Sequence, residues 1–264
     1  MNYNSNTGLW QTTRSEAVNF DGVFATAANC SGTVTPWNTI ISCEEYTSAE
    51  LENNPNLPFQ GSRDFNNDGY DDFGWAIEID PVTKTVIDQP GGLNGADKLW
   101  AMGNFKHENA AIHNNQRTVY QGADAAIGYL YKFIADNAQD LSSGNLYVYS
   151  GSKNGSGSWI QLANTTQAEQ NSTVQQSANL GATVFDGIED VEIGLDGMVY
   201  FAVKSENRVY RFQDSDPISG TTVSQMETYV GNAAYNVQHE GVHQLLIGGM
   251  EMITLLLTGR EIYG

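Results

Sequence analysis

At 264 residues the chain is long enough for one large β or α/β domain, or for two ordinary ones. Its 31 acidic residues against 12 basic ones give a formal charge of −19, which argues against nucleic acid and against an anionic membrane surface as partners. Two cysteines exclude a disulfide-rich scaffold and leave the redox compartment open.

The first residues, Met1-Asn-Tyr-Asn-Ser, carry neither a basic n-region nor an apolar h-region, so they do not read as a secretory leader. Such a chain is either cytosolic or begins downstream of its natural start. The apolar run around Leu255-Leu-Leu257 is too short to span a bilayer. Between these ends, short β-prone runs are expected at 75–79, 85–87, 118–120, 129–133, 146–149, 159–162, 191–193, 198–203 and 208–212. Gly, Asn, Asp and Ser clusters separate them, which is turn chemistry. The segment Gln167 to Asn179 is Gln/Ser-rich and reads as a loop or surface insertion.

Many short strands with Gly-rich turns indicate an all-β sandwich, barrel or propeller. The run from Leu195 to Phe212 narrows this. It is a turn, an alternating strand, a polar turn and a second alternating strand, the inner rhythm of a β-propeller blade. Similar hairpins are expected at Phe73 to Val86 and at Tyr129 to Tyr149.

Four constellations can carry chemistry. The first runs from Asn29 to Glu45 and holds Cys30, a Pro36-Trp37 pair, a short strand, and Cys43-Glu44-Glu45. Thiolate with carboxylate is a mixed soft and hard donor set, able to hold a transition metal beside calcium. A buried strand closed by a Cys30–Cys43 disulfide is the alternative. The second is Asp64 to Asp72, with oxygens at Asp64, Asn66, Asp68 and Asp72 around Gly69, the spacing of a calcium loop of the D-x-N-x-D-G kind. The bidentate Glu expected at the twelfth position is missing, since Trp75 stands there. Such a site would be structural. The third is Lys106-His107-Glu108, which taken alone is a solvated turn. The fourth, Phe185 to Asp190, brings three carboxylates to a strand's start, a position that in a propeller faces the central channel.

In this order the motifs Asn29-Cys-x-Gly-x-x-Thr-Pro-Trp-x-Thr-x-x-x-Cys-Glu-Glu45, Gly74-Trp-x-x-Glu-Ile-Asp-Pro81, Phe105-Lys-His-Glu108 and Tyr129-Leu-Tyr-Lys-Phe133 resemble the PhoX-type alkaline phosphatases. The match runs from about Cys30 to about Phe212. The resemblance implies a six-bladed propeller, a monomeric exported protein (periplasmic or secreted), and hydrolysis of small phosphate monoesters at a cluster of Fe³⁺ and Ca²⁺. It places metal ligands at Cys30 (or Cys43), at Glu45 with Glu44 beside it, at Glu108, and at Glu189 followed by Asp190. Clustered cations would stabilise the charge that a phosphate monoester gains on attack, so a negative chain is no objection.

This chain departs from the family pattern in three places. Gly187 stands where the family's Arg-Pro-Glu-Asp motif has its arginine, so that either phosphatase activity is weak or absent, or Lys106 supplies the positive side chain near substrate. Residues 1–28 match poorly, so the single domain 1–264 is expected to be incomplete at its N-terminus. The stretch Ile247 to Gly264 does not read as a blade. Codons read from their third base can instead yield the family's Trp-Gly-x-Gly-x-Asp-Asn-Leu segment, so a frameshift between about Asn236 and Ile247 is expected, with His239 and His243 no metal ligands. A lactonase of the gluconolactonase type, or a non-catalytic calcium-stabilised propeller at the cell surface, are the rival functions.

Overall fold

A computed structural model describes residues 1–54, 61–89 and 97–231. Strands dominate. A small hairpin of β1 (Asn2–Asn4) and β2 (Leu9–Gln11) precedes three antiparallel meanders. The first is β3 (Asn29–Val34), β4 (Ile40–Glu44), β5 (Ala76–Asp80) and β6 (Thr85–Val86), with α1 (Ser48–Leu51) and the Asp-rich turn inserted between β4 and β5. The second is β7 (His107–Ile112), β8 (Thr118–Ala123), β9 (Leu130–Asn137), β10 (Asp140–Gly151) and β11 (Gly155–Gln161). After α2 (Gln167–Asn171) and α3 (Thr173–Asn179) comes the third: β12 (Ile188–Ile193), β13 (Val199–Val203), β14 (Arg208–Phe212) and β15 (Thr222–Val230).

The meanders stack face to face as propeller blades, and the alternation of side chains shows how. In the middle blade Val119, Tyr131, Phe133 and Val148 pack toward the first blade, with Ile41, Cys43 and Phe105. Their neighbours Tyr120, Leu130 and Tyr149 turn the other way, toward Phe185, Phe201 and Phe212 of the third. A period of two with both faces covered gives two cores from one sheet. Each of these large side chains, when fully buried, contributes about 1.5–3 kcal/mol. The outer strands β11 and β15 also pair, which joins the second and third blades into one nine-stranded sheet. Across this seam the buried Lys132 donates to Asp214 Oδ2 at 2.6 Å and to the carbonyls of Asp216 and Gly220.

The chain is therefore all-β and of the propeller type, as its turn and strand rhythm indicates. The hairpin from Val199 to Phe212 and those within 73–86 and 129–149 form as expected. Several strands run longer than their β-prone cores, and β1, β2, β3, β7 and β15 are additional. The segment 167–179 is not a loop: it forms α2 and α3. A capping box starts it, with Glu169 N–H donating to Thr166 Oγ1 and Thr166 N–H donating back to the Glu169 carboxylate. Its buried face holds Gln170, Thr173 and Ser177, so no apolar period advertises the helices. Among the described residues no helix is long and apolar enough to cross a membrane. The expected frameshift region, with His239 and His243, lies outside them.

Candidate metal centre

Each blade begins with a hairpin of the same design. The first residue of its first strand pairs with the last residue of its second: Asn29 with Glu44, His107 with Ala123, Ile188 with Val203. A β-bulge follows at once in all three first strands, between Asn29 and Gly32, His107 and Ala110, and Ile188 and Asp190. Bulges re-aim side chains. The second residue of each first strand is Cys30, Glu108 or Glu189, and the residue just past each second strand is Glu45, Asp124 or Lys204. Three equivalent hairpin ends thus offer six chemically active side chains at one end of the blades, where β3, β7 and β12 lie side by side.

Three of the six converge most tightly. Cys30 Sγ and carboxylate oxygens of Glu45 and Glu108 all lie within 4.8 Å of one another. The two thiols are free, Cys30 half-buried and Cys43 fully buried in the core, so the disulfide alternative does not hold. The Cys30 thiol donates toward the carbonyls of His107 (3.2 Å) and Cys43 (3.5 Å). Among the described residues no basic side chain forms an ion pair with Glu45 or Glu108; Lys106 pairs with Glu50 at 3.4 Å and lies over the Tyr46 ring. The acidic groups are therefore crowded together without a paired cation, with Lys106 and Lys204 acting on Glu45 only through space. Burial, then the charges of Glu189, Glu45 and Asp124, push Glu108 up to about 8. Burial, then Glu108 and Glu45, push the Cys30 thiol up to about 12. Glu45 is also raised, by burial and by Asp124. A bound cation would reverse each of these shifts, and a thiolate with carboxylates suits a transition metal beside a harder ion.

These shifts give a pH dependence. Because Glu108 holds its proton more tightly folded than unfolded, the folded state binds more protons between about 4.5 and about 8, and stability falls as pH rises through that window. Asp190, raised to about 7 by burial, acts in the same direction. The expected result is a Tm of metal-free protein that drops from pH 5 to pH 8, with a shallower drop in Glu108→Gln. A Tm that rises over this range would contradict it.

The other expected residues are placed as follows. Glu44, beside Glu45, is fully buried and turned away: both its oxygens accept Lys98 Nζ (2.8 and 2.9 Å), and it also accepts the N–H groups of Ala27, Gly74 and Trp75. Asp190 faces the interior, where Asn109 Nδ2 donates to it at 2.6 Å. Glu189 stands at the rim, its carboxylate 2.5 Å from Lys204 Nζ. His107 is buried against Phe105, bonded to the Gly103 carbonyl and lowered by burial to about 4, so it is neutral and structural. Asp64, Asn66, Asp68 and Asp72 lie in the β4–β5 insertion, apart from the cluster, in a tight turn in which Asp68 and Gly69 N–H donate to the Asp64 carboxylate. Gly69 takes φ +94°, and a Cβ there would strike Gln167, so glycine is required.

Asp124 and Lys204 escape sequence reasoning because only hairpin register brings them to the site. Lys204 Nζ bridges Asp124 Oδ2 (2.7 Å) and Glu189. Although burial opposes the charge, hydrogen bonds to both carboxylates hold its pKa above the usual lysine value. It lies across Gly187, where a Cβ would come within 2.9 Å of its Cγ and Cε and the backbone takes φ +81°. A side chain at 187 would require Lys204 to shift from this place.

Stacked antiparallel blades with a thiol–carboxylate group at one end of their inner strands define a propeller-type protein with a candidate metal centre. The family model described as "Alkaline phosphatase PhoX" matches residues 6–249, and the chain belongs to that family. Among solved structures, Pseudomonas fluorescens PhoX in complex with vanadate, a transition state analogue, is similar, with a TM-score of 0.57 and 23% identity. The alignment covers 81% of this chain and 49% of that one, so this chain spans about half the length of that protein. No curated protein matches the chain.

Proposed function

We propose that the chain hydrolyses small phosphate monoesters at a metal cluster held by Cys30, Glu45 and Glu108, with Glu189 and Asp124 beside it. The observation that carries this reading is the convergence of one thiol and two carboxylates, from three strand ends in two blades, within 4.8 Å. Family membership supports the reaction class, and the similar protein's complex with a transition state analogue supports a phosphate-like ligand. The donor set favours Fe³⁺ at the thiolate and Ca²⁺ among the carboxylates. When bound, such ions neutralise charge on a phosphoryl group and lower the pKa of a coordinated oxygen nucleophile. We further place the chain's activity in the periplasm or outside the cell, as the family pattern implies.

The protein's own residues then have distinct tasks. Cys30 must lose its proton to bind, and the neighbouring carboxylates resist that loss, so thiol ionisation and metal binding are coupled. Glu45 and Glu108 orient the cluster from adjacent blades. Lys204, at the hairpin position where the other two blades carry Glu45 and Asp124, supplies a positive charge for substrate phosphate where Gly187 replaces the family's arginine, with Lys106 also near Glu45. Lys204→Met is expected to raise KM about tenfold with a smaller change in kcat, as for loss of one charge-assisted hydrogen bond. An unchanged KM would remove Lys204 from substrate binding.

Turnover of a chromogenic phosphate monoester, measured with and without a chelator and alongside elemental analysis, tests the reading. Chelator-sensitive turnover with iron and calcium present is the expected result. Calcium without iron, and no turnover, would favour the non-catalytic or lactonase readings.

A further inference from the structure

The Asp-rich turn encloses a second feature, on the outer side of the Glu44–Lys98 pair. A cavity of about 240 Å³ is lined by Asn66, Asp68, Asp71, Asp72, Asp97 and Lys98, together with the rings of Tyr70 and Trp100. Four carboxylates thus face one space. The lysine in its wall is engaged elsewhere, donating to both oxygens of Glu44 and to the Asp72 carbonyl. Asp72 is 94% buried; its Oδ2 accepts Phe65 N–H at 2.8 Å, whereas its Oδ1 is buried without a hydrogen-bond partner. Burying a carboxylate oxygen beside further negative charge, with no donor of its own, is costly.

The turn is held from outside as a receptor would be. Gln167 Nε2 donates to the Asp68 carbonyl, Asn171 Nδ2 to the Gly69 carbonyl, and Asp71 N–H to Asn171 Oδ1, so α2 fixes its shape from 100 residues away. Within it, oxygens recur at the first, third, fifth and ninth positions, Asp64, Asn66, Asp68 and Asp72, with Gly69 at the sixth. Each carboxylate oxygen that accepts a loop N–H keeps a second lone pair. All donors are hard oxygens, which selects calcium over a transition metal.

We propose that this turn holds a calcium ion, separate from the thiol–carboxylate cluster, with Asn66, Asp68 and Asp72 as side-chain ligands on the cavity wall, while Asp64 shapes the turn by accepting the N–H groups of Asp68 and Gly69. The ion ties the β4–β5 insertion to α2. Through Asp72, Lys98 and Glu44 it also braces the exit of β4, one residue before Glu45. The site is structural and does not depend on the phosphatase reading.

Terbium luminescence on the whole chain tests it, with Tb³⁺ alone as the probe. Tyr70 and Trp100, stacked at 3.8 Å in the cavity wall, are the antenna. Aromatic excitation is expected to give Tb³⁺ emission that Ca²⁺ displaces and that persists in Glu108→Gln. Affinity should fall roughly tenfold or more in Asp68→Asn and in Asp72→Asn. Asp72→Asn alters a buried group and is open to misfolding, whereas Asp68→Asn keeps an amide oxygen to accept Tyr70 N–H. In parallel, Ca²⁺ should raise the Tm of the wild type and of Glu108→Gln, with a smaller rise in Asp68→Asn. No sensitised emission, emission equal in wild type and Asp68→Asn, or emission lost in Glu108→Gln but kept in Asp68→Asn would each overturn the proposal.

Discussion

Glu108→Gln is expected to lower turnover of a phosphate monoester by about 10²–10³-fold, the scale of losing one preorganised electrostatic element of an active site. The substitution is nearly isosteric, so its effect isolates charge. Glu108 sits at the bulge of β7 and is the one carboxylate of the group whose charge is opposed by all three neighbours, Glu189, Glu45 and Asp124. With a cation among them, the carboxylate is a ligand; without one, it is a source of repulsion. The same substitution should therefore weaken metal retention while raising the stability of metal-free protein at pH 8. That opposite movement is the signature of a ligand rather than of a packing residue. Full turnover in Glu108→Gln would remove this residue from the site.

The second large effect concerns the support behind the site. Lys98→Met leaves the fully buried Glu44 carboxylate without its cation and should cost about 3–5 kcal/mol, the range for breaking a buried ion pair from one side. Glu44 keeps the three backbone donors of Ala27, Gly74 and Trp75, which places the cost at the lower end. The reading is the denaturant midpoint at constant m-value. Lys98→Met combined with Glu44→Gln should recover part of the loss, because no unpaired charge remains. A shift below about 1 kcal/mol would mean that the pair behaves like an exposed one. Since Glu44 anchors the chain immediately before Glu45, this variant should also loosen the cluster, although neither residue touches it.

The architecture was legible where strands alternate between two covered faces. Arg208 to Phe212 forms a strand at the expected bounds because its neighbours on both sides are turns with strong local chemistry. The strand β15 was not legible: its buried Val223 and Met226 are three apart across a register shift, which breaks the period of two. The helices α2 and α3 were hidden because they bury hydroxyls and amides rather than apolar side chains.

The site divides in the same way. Cys30, Glu45 and Glu108 could be named from their motifs, but nothing in the string Cys43-Glu44-Glu45 says which carboxylate faces the cluster and which faces Lys98. Lys98 is 54 residues away, and the pairing is a tertiary fact. Likewise the motif residues Trp37 and Thr39 serve the first blade's interior, both donating to Glu78 of the next motif. Asp124 and Lys204 belong to no motif. They become visible only once the three hairpins are seen to share one register, so that the residue after each second strand meets the bulge of each first.

The central claim is that Cys30 is a metal-bound thiolate and not a partly buried thiol. Visible absorption of the purified chain tests it most directly, because a thiolate on ferric iron gives a charge-transfer band that carboxylate ligands alone do not. The account predicts such a band in the wild type, its loss in Cys30→Ser together with turnover, and its retention in Cys43→Ser. A band that survives Cys30→Ser, or phosphatase turnover in a chain that binds no metal, would contradict it.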